Sequence, residues 1–185
     1  FKDIQQKMAQ LKQPGLLKFS DLKANSMGLA PILSMAQKNK NIQHLIIRHS
    51  NLHQHQINLI QRVLSLNDGI AWLVLDHNEI DDSKLKALLQ DLHPDNNITH
   101  LVLSNNQLSD NGANMILQKR PILAKLETLW LDNNHLTDKS IPVIKQLLLK
   151  TEGVKTISLK GNNFSPQGKI DLIRLSEQKQ IRCYC

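Results

Sequence analysis

Histidine and aspartate are the residues of this chain that could carry chemistry. His49, His53 and His55 cluster beside one loop and helix start, which could gather imidazoles around a metal ion. No cysteine or carboxylate completes that set at zinc spacing, so no metal centre is expected there. A general acid–base pair would have to come from Asp76, His77 and Asp132. Mixed charges of this kind are commoner on a binding face than in a catalytic one. No serine, cysteine or lysine sits in an activating motif, and glycine-rich phosphate loops are absent. The sequence therefore predicts neither an enzyme nor a bound cofactor.

What positions these residues is a repeat. Apolar patterns begin at Ile42, Ile70, Ile98, Leu126 and Val154, each 28 residues after the last. A fixed period of this size marks a solenoid, in which each unit buries its apolar face against its neighbours. Each segment reads L-x-x-L-x-L-x-x-N-x-L. The second, for example, is Ile70, Leu73, Leu75, Asn78, Ile80, and the first carries Ser50 at the Asn position. A weaker copy, Leu17, Ser20, Leu22, Asn25, Met27, precedes them by 25 residues. The L-x-L alternation predicts a short strand with one face inward. The Asn carries a carbonyl and an amide on one short stem, suited to satisfying backbone groups where the chain leaves the strand.

The second half of each unit predicts a helix. Asp81, Ser109, Thr137 and Ser165 stand at N-cap positions, and Pro166 suits a first helical turn. An aliphatic follows at Ile60, Leu88, Ile116, Ile144 and Leu172, with Met35 in the weaker copy. Residues 1–16, with Ile4, Met8 and Leu11 before Pro14-Gly15, predict a capping helix; 17–179 hold the repeats; 180–185 predict a terminal edge strand, with Cys183 and Cys185 at its L-x-L positions.

This template resembles the leucine-rich repeat family over roughly nine-tenths of the chain. The run Leu108-Ser109-Asp110-Asn111-Gly112-Ala113 is similar to the ribonuclease-inhibitor subfamily, whose longer repeats carry a full helix. The resemblance implies an α/β horseshoe arc, with a parallel sheet on the concave side and helices on the convex side.

Function then depends on the outward strand residues. Third positions are Phe19, His44, Trp72, His100, Thr128 and Thr156. Fifth positions are Asp21, Ile46, Val74, Val102, Trp130 and Ser158, then Tyr184. Seventh positions are Lys23, Arg48, Asp76, Ser104, Asp132 and Lys160. Both tryptophans fall on this face. Ile46, Val74 and Val102 are expected to form an exposed apolar centre between them, rimmed by Arg48, Asp76, His77, Asp132, Asn133 and His135. Strand propensity alone could account for the valines and isoleucine, but explains two exposed tryptophans less well. An apolar centre with aromatic anchors and a polar rim suits a protein partner.

The chain holds 23 basic and 16 acidic residues, net +7. The signs on the strand face are mixed and most lysines fall on helices or loops, so no stripe tracks a phosphate backbone and no nucleic-acid partner is expected. No membrane span or signal peptide is visible, and two cysteines in total fit a reducing, intracellular compartment. A monomer is expected, with edge-strand dimerisation as the alternative. Abundant Asn, Gln, Lys and Ile give the chain a style that resembles leucine-rich effectors of intracellular bacteria such as Legionella. That resemblance implies action on a eukaryotic protein in a host cytosol. Two other readings stand beside it: a GTPase-regulating protein, since a nuclear-transport GTPase activator shares the subfamily, or a sensor domain of a larger receptor.

Overall fold

A computed structural model describes residues 15–21, 29–93 and 95–185. Seven strands form one parallel sheet in sequential order: β1 (Gly15–Ser20), β2 (Ile42–Arg48), β3 (Trp72–Val74), β4 (His100–Val102), β5 (Thr128–Trp130), β6 (Thr156–Ser158) and β7 (Arg182–Tyr184). Among the described residues six α-helices alternate with them: α1 (Leu29–Ala36), α2 (Gln54–Leu66), α3 (Asp82–Leu89), α4 (Asp110–Gln118), α5 (Ile141–Lys150) and α6 (Pro166–Gln178). The register is set by burial. Leu45, Leu73, Leu101, Leu129 and Ile157 pair in one row across the sheet and are all buried. Behind that row the helices contribute Ile60, Leu88, Ile116, Ile144 and Leu172, so a single core runs the length of the array. Strands stack about 4.8 Å apart, whereas packed helices need about 8–10 Å, so the array must curve with its strands inside.

The asparagine row joins the units. Asn106 Oδ1 accepts from Asn78 N at 3.1 Å and Ile80 N at 2.9 Å, while its Nδ2 donates to Leu75 O at 3.0 Å and Leu103 O at 2.9 Å. Asn78, Asn134 and Asn162 repeat this pattern toward their neighbours. Each thus satisfies buried backbone groups of the preceding unit that would otherwise have no water to bond.

The four predicted caps all accept from backbone amides: Asp81 from Lys84, Ser109 from Asn111, Thr137 from Lys139 and Ser165 from Gly168. Thr137 caps a single 3₁₀ turn, Asp138–Ser140, that leads into α5. A second row lay unread in the sequence. Asp82 accepts from the backbone N–H and the hydroxyl of Ser109 in the next unit. Asp110 accepts from Thr137 N at 2.8 Å and Oγ1 at 2.7 Å, and Asp138 from Ser165 N at 2.9 Å. The bonds from Ser165 hold the Asp138 carboxyl below the usual carboxylate range.

The first unit corrects the sequence reading. Leu17 pairs with Leu45 and Phe19 with Ile47, so this copy also follows the 28-residue period. Phe19 is buried in the core rather than facing outward, and Ile32, not the exposed Met35, fills the helix position equivalent to Ile60. Gly15 and Leu16, assigned to the capping helix, belong to β1. Ile4, Met8, Leu11, Leu22, Lys23, Asn25 and Met27 lie outside the described residues. At the other end β7 pairs with β6, and Cys183 and Cys185 pack against the core.

Candidate functional site

Residues at alternate strand positions face away from the helices and form three columns across the sheet. The corrected register puts Leu16 at the head of the first column, followed by His44, Trp72, His100, Thr128, Thr156 and Arg182. Its first four members form a ridge. The Trp72 indole stacks on His100 with ring centroids 3.8 Å apart and planes 10° apart. On its other side lies His44, tilted by 52° at 5.5 Å. Both imidazoles are fixed from below. His44 Nδ1 lies 3.1 Å from Gly15 O, and His100 Nδ1 lies 2.8 Å from Thr99 Oγ1, whose hydroxyl donates to Ala71 O. Burial holds the His100 pKa below the ordinary imidazole value, against the pull of Glu127; Coulombic contributions from the neighbouring His44 and Lys155 add to the lowering. The indole is therefore stacked on one pre-ordered ring and tilted against the other, and Trp72 keeps 40% of its surface exposed.

The second column runs Lys18, Ile46, Val74, Val102, Trp130, Ser158 and Tyr184. Trp130 is 42% exposed, but Val74 and Val102 are only 3% and 6% exposed. Of the expected open apolar centre the two valines are thus a covered floor, and Ile46 alone keeps partial exposure. Short valines flanked by Trp72, His100 and Trp130 leave no surface of their own for a partner. Two separate aromatic projections remain above that floor. Farther along, Lys160 Nζ sits 4.9 Å from the centroid of the Tyr184 ring.

Arg48, Asp76 and Asp132 of the third column are already engaged. Arg48 Nε lies 2.7 Å from Asp76 Oδ1, a contact off the hydrogen-bond axis and so mainly Coulombic. Asp132 accepts from Ser158 Oγ at 2.5 Å and Lys160 N at 2.8 Å, which commits it to the neighbouring unit. The acid–base trio of the sequence reading is therefore not assembled. Asp76 Oδ2 and His77 Nδ1 are 3.1 Å apart, whereas Asp132 stands two strands away. His135 lies beyond the strand in the turn after Asn134, exposed, its backbone N–H donating to Leu108 O.

The histidine cluster also separates. His53 joins a capping box with Gln56 at the start of α2, and its ring lies 6.3 Å from that of His55. His49 instead meets His77 of the next unit, with ring centroids 4.1 Å apart. Their 28-residue spacing was present in the sequence, but the backbone that brings them together was not evident from it. Both sit in the left-handed region, as do Asp21, Asn105, Asn133 and Gly161 at the same repeat position.

Among the described residues no helix is long and apolar enough to cross a membrane. The family model for the Leucine Rich Repeat matches residues 125–147. No curated protein sequence matches the chain. Solved structures do. An internalin (inlF) from Listeria monocytogenes is 18% identical with a TM-score of 0.52 over 90% of this chain and 47% of the internalin. This chain thus spans about half the length of that protein. Actin-binding site 2 of leiomodin-1 is 16% identical with a TM-score of 0.59, over 80% of this chain and 86% of the leiomodin segment. Together with the seven-stranded parallel sheet, these likenesses establish an α/β leucine-rich repeat solenoid.

Proposed function

We propose that this chain is a non-enzymatic interaction module that takes a protein partner on the strand side of its arc, with Trp72 and Trp130 as anchors. The observation that carries the reading is the placement of both tryptophans. Each projects from the open sheet face with about two-fifths of its surface bare, and Trp72 is already ordered by stacking. Large aromatics dominate protein interfaces, and a ring held before binding loses little conformational entropy. Around them His44, Arg48, Asp76, His77, His100 and Asp132 supply a polar, mixed-charge surround, with the half-buried Ile46 beside Val74 and Val102, the floor beneath. The leiomodin-1 segment of similar fold is described as an actin-binding site, which supports an array of this length acting as a binding surface.

The finer reading is a bacterial effector that meets a eukaryotic protein in a host cytosol; its support is compositional. GTPase regulation is disfavoured by Arg48, the arginine of the central strand face, whose guanidinium is engaged by Asp76. Capture from eukaryotic cytosol tests the main proposal. The native chain should retain a protein that a folded Trp72→Ala/Trp130→Ala double variant releases. Identical captures from both proteins would remove the strand face as the binding surface.

A further inference from the structure

His49 and His77 are the residues the scaffold does not explain. They occupy the same turn position in adjacent repeats, with φ of 48° and 57°. Asn105, Asn133 and Gly161 fill that position in later repeats, and Asn and Gly are the residues that tolerate left-handed backbone best. Two successive histidines there accept backbone strain without serving the core, since both side chains are exposed. The turns that carry them are pinned: His49 N donates to Asp76 O at 3.3 Å and His77 N to Ser104 O at 3.2 Å.

Beside the two imidazoles stands a carboxylate. Asp76 Oδ2 lies 3.1 Å from His77 Nδ1, and one ligand atom from each of His49, Asp76 and His77 falls within 4.8 Å of the others. We propose that these three side chains form a binding site for a borderline divalent transition ion of the Zn²⁺ class. Two neutral imidazoles and one carboxylate are a donor set that suits zinc and leaves a fourth position to water. Tetrahedral bonds of about 2.0–2.2 Å put ligand atoms roughly 3.3 Å apart. The Asp76–His77 pair is already at that separation, and the exposed His49 ring can close the rest by side-chain rotation. Arg48 faces the opposite carboxylate oxygen, Asp76 Oδ1, at 2.7 Å. It holds the carboxylate with Oδ2 toward the histidines, as supporting groups do in metal sites, while its charge weakens the binding of a cation.

The test is calorimetric titration of the full chain with ZnCl₂, alongside His49→Asn, His77→Asn and the double variant. Asn is what this turn carries elsewhere, so the substitutions preserve the backbone. One ion should bind each native chain, and each single variant should bind about tenfold or more weakly. Co²⁺ bound to the native protein should show tetrahedral absorption bands that the double variant lacks. Zinc binding of equal affinity and stoichiometry in the double variant would overturn the proposal and move the site to histidines such as His53 and His55. Absence of saturable binding to the native chain would overturn it outright. Neither result bears on the tryptophan face, whose test runs in the presence of a chelator.

Discussion

The first four strands and the last three stand on the same scaffold and present different surfaces. Over β1–β4 the outermost column reads Leu16, His44, Trp72, His100, and the turns beyond it carry Asp21, His49, His77 and Asn105. Over β5–β7 the same column reads Thr128, Thr156, Arg182, and the turns carry Asn133 and Gly161. Aromatic stacking is confined to the first region, whereas the second relies on hydroxyls, Lys155–Glu127 pairing and the Ser158–Asp132 bond. Yet the asparagine row crosses both without interruption from Asn78 to Asn162. The lesson is a separation of roles: inward residues and Asn specify the unit, and outward residues vary without affecting it.

Breaking the shared row should have the largest effect. Asn106→Ala strands two buried N–H donors and leaves the Leu75 carbonyl without its side-chain donor. A loss of about 3 kcal/mol or more is expected in urea unfolding, since each orphaned buried group costs about 1–3 kcal/mol. A loss under about 1 kcal/mol would mean that the row is ornamental to the scaffold. Gly161→Ala comes next. Its φ of 68° is strained for alanine, and the new methyl group would collide with the Asn133 carboxamide. We expect about 1–3 kcal/mol here, against less than about 1 kcal/mol for Asn133→Gly at the same turn position one unit earlier.

The two tryptophans sharpen the contrast between regions. Trp72→Ala should cost about 0.5–1.5 kcal/mol from its ring stack, and Trp130→Ala less, because no ring contact to it is seen among the described residues. Both should nevertheless release the captured partner. Equal stability losses would show that the stack contributes nothing. The smallest effect is a pH dependence. Burial lowers the His100 pKa in the folded state, so the unfolded chain binds that proton more readily. The associated stability is fully present above the unfolded value of about 6.5 and is lost as pH falls through the window beneath it. Comparing native and His100→Gln proteins in urea at neutral and mildly acidic pH isolates this term. Parallel pH profiles would refute it.

Much of the scaffold was legible because burial repeats. Leu73, Leu101 and Leu129 recur at the period, and the N-caps follow each apolar run at a fixed offset. The first unit misled for a physical reason. Asn25 suggested a register three residues downstream, but strand pairing follows the burial of Leu17 and Phe19. Column membership on the open face was correct from β2 onward, because side-chain alternation settles it. Exposure was not, since whether Val74 stays open depends on the sizes of its neighbours in the next strands. The His49–His77 contact was hidden for another reason: it requires left-handed backbone at both positions, which histidine signals only weakly.

The aspartate row gives the helical layer a polarity. Asp82, Asp110 and Asp138 each sit in the first turn of a helical segment and hold the cap of the segment that follows. The equivalent residue of α2, Gln54, bonds within its own helix to Asn58 instead, so the relay starts at α3. Fraying at the head of α3 or of α4 breaks the same Asp82–Ser109 bonds, so the two helix starts are coupled reciprocally. In hydrogen exchange the amides of Ser109, Thr137 and Ser165 act as downstream reporters, each opening with the turn before it. The helical layer is thus linked twice over from α3 onward, by its apolar core and by this polar relay, whereas α2 and α3 are joined by packing and by the Asn78 bonds.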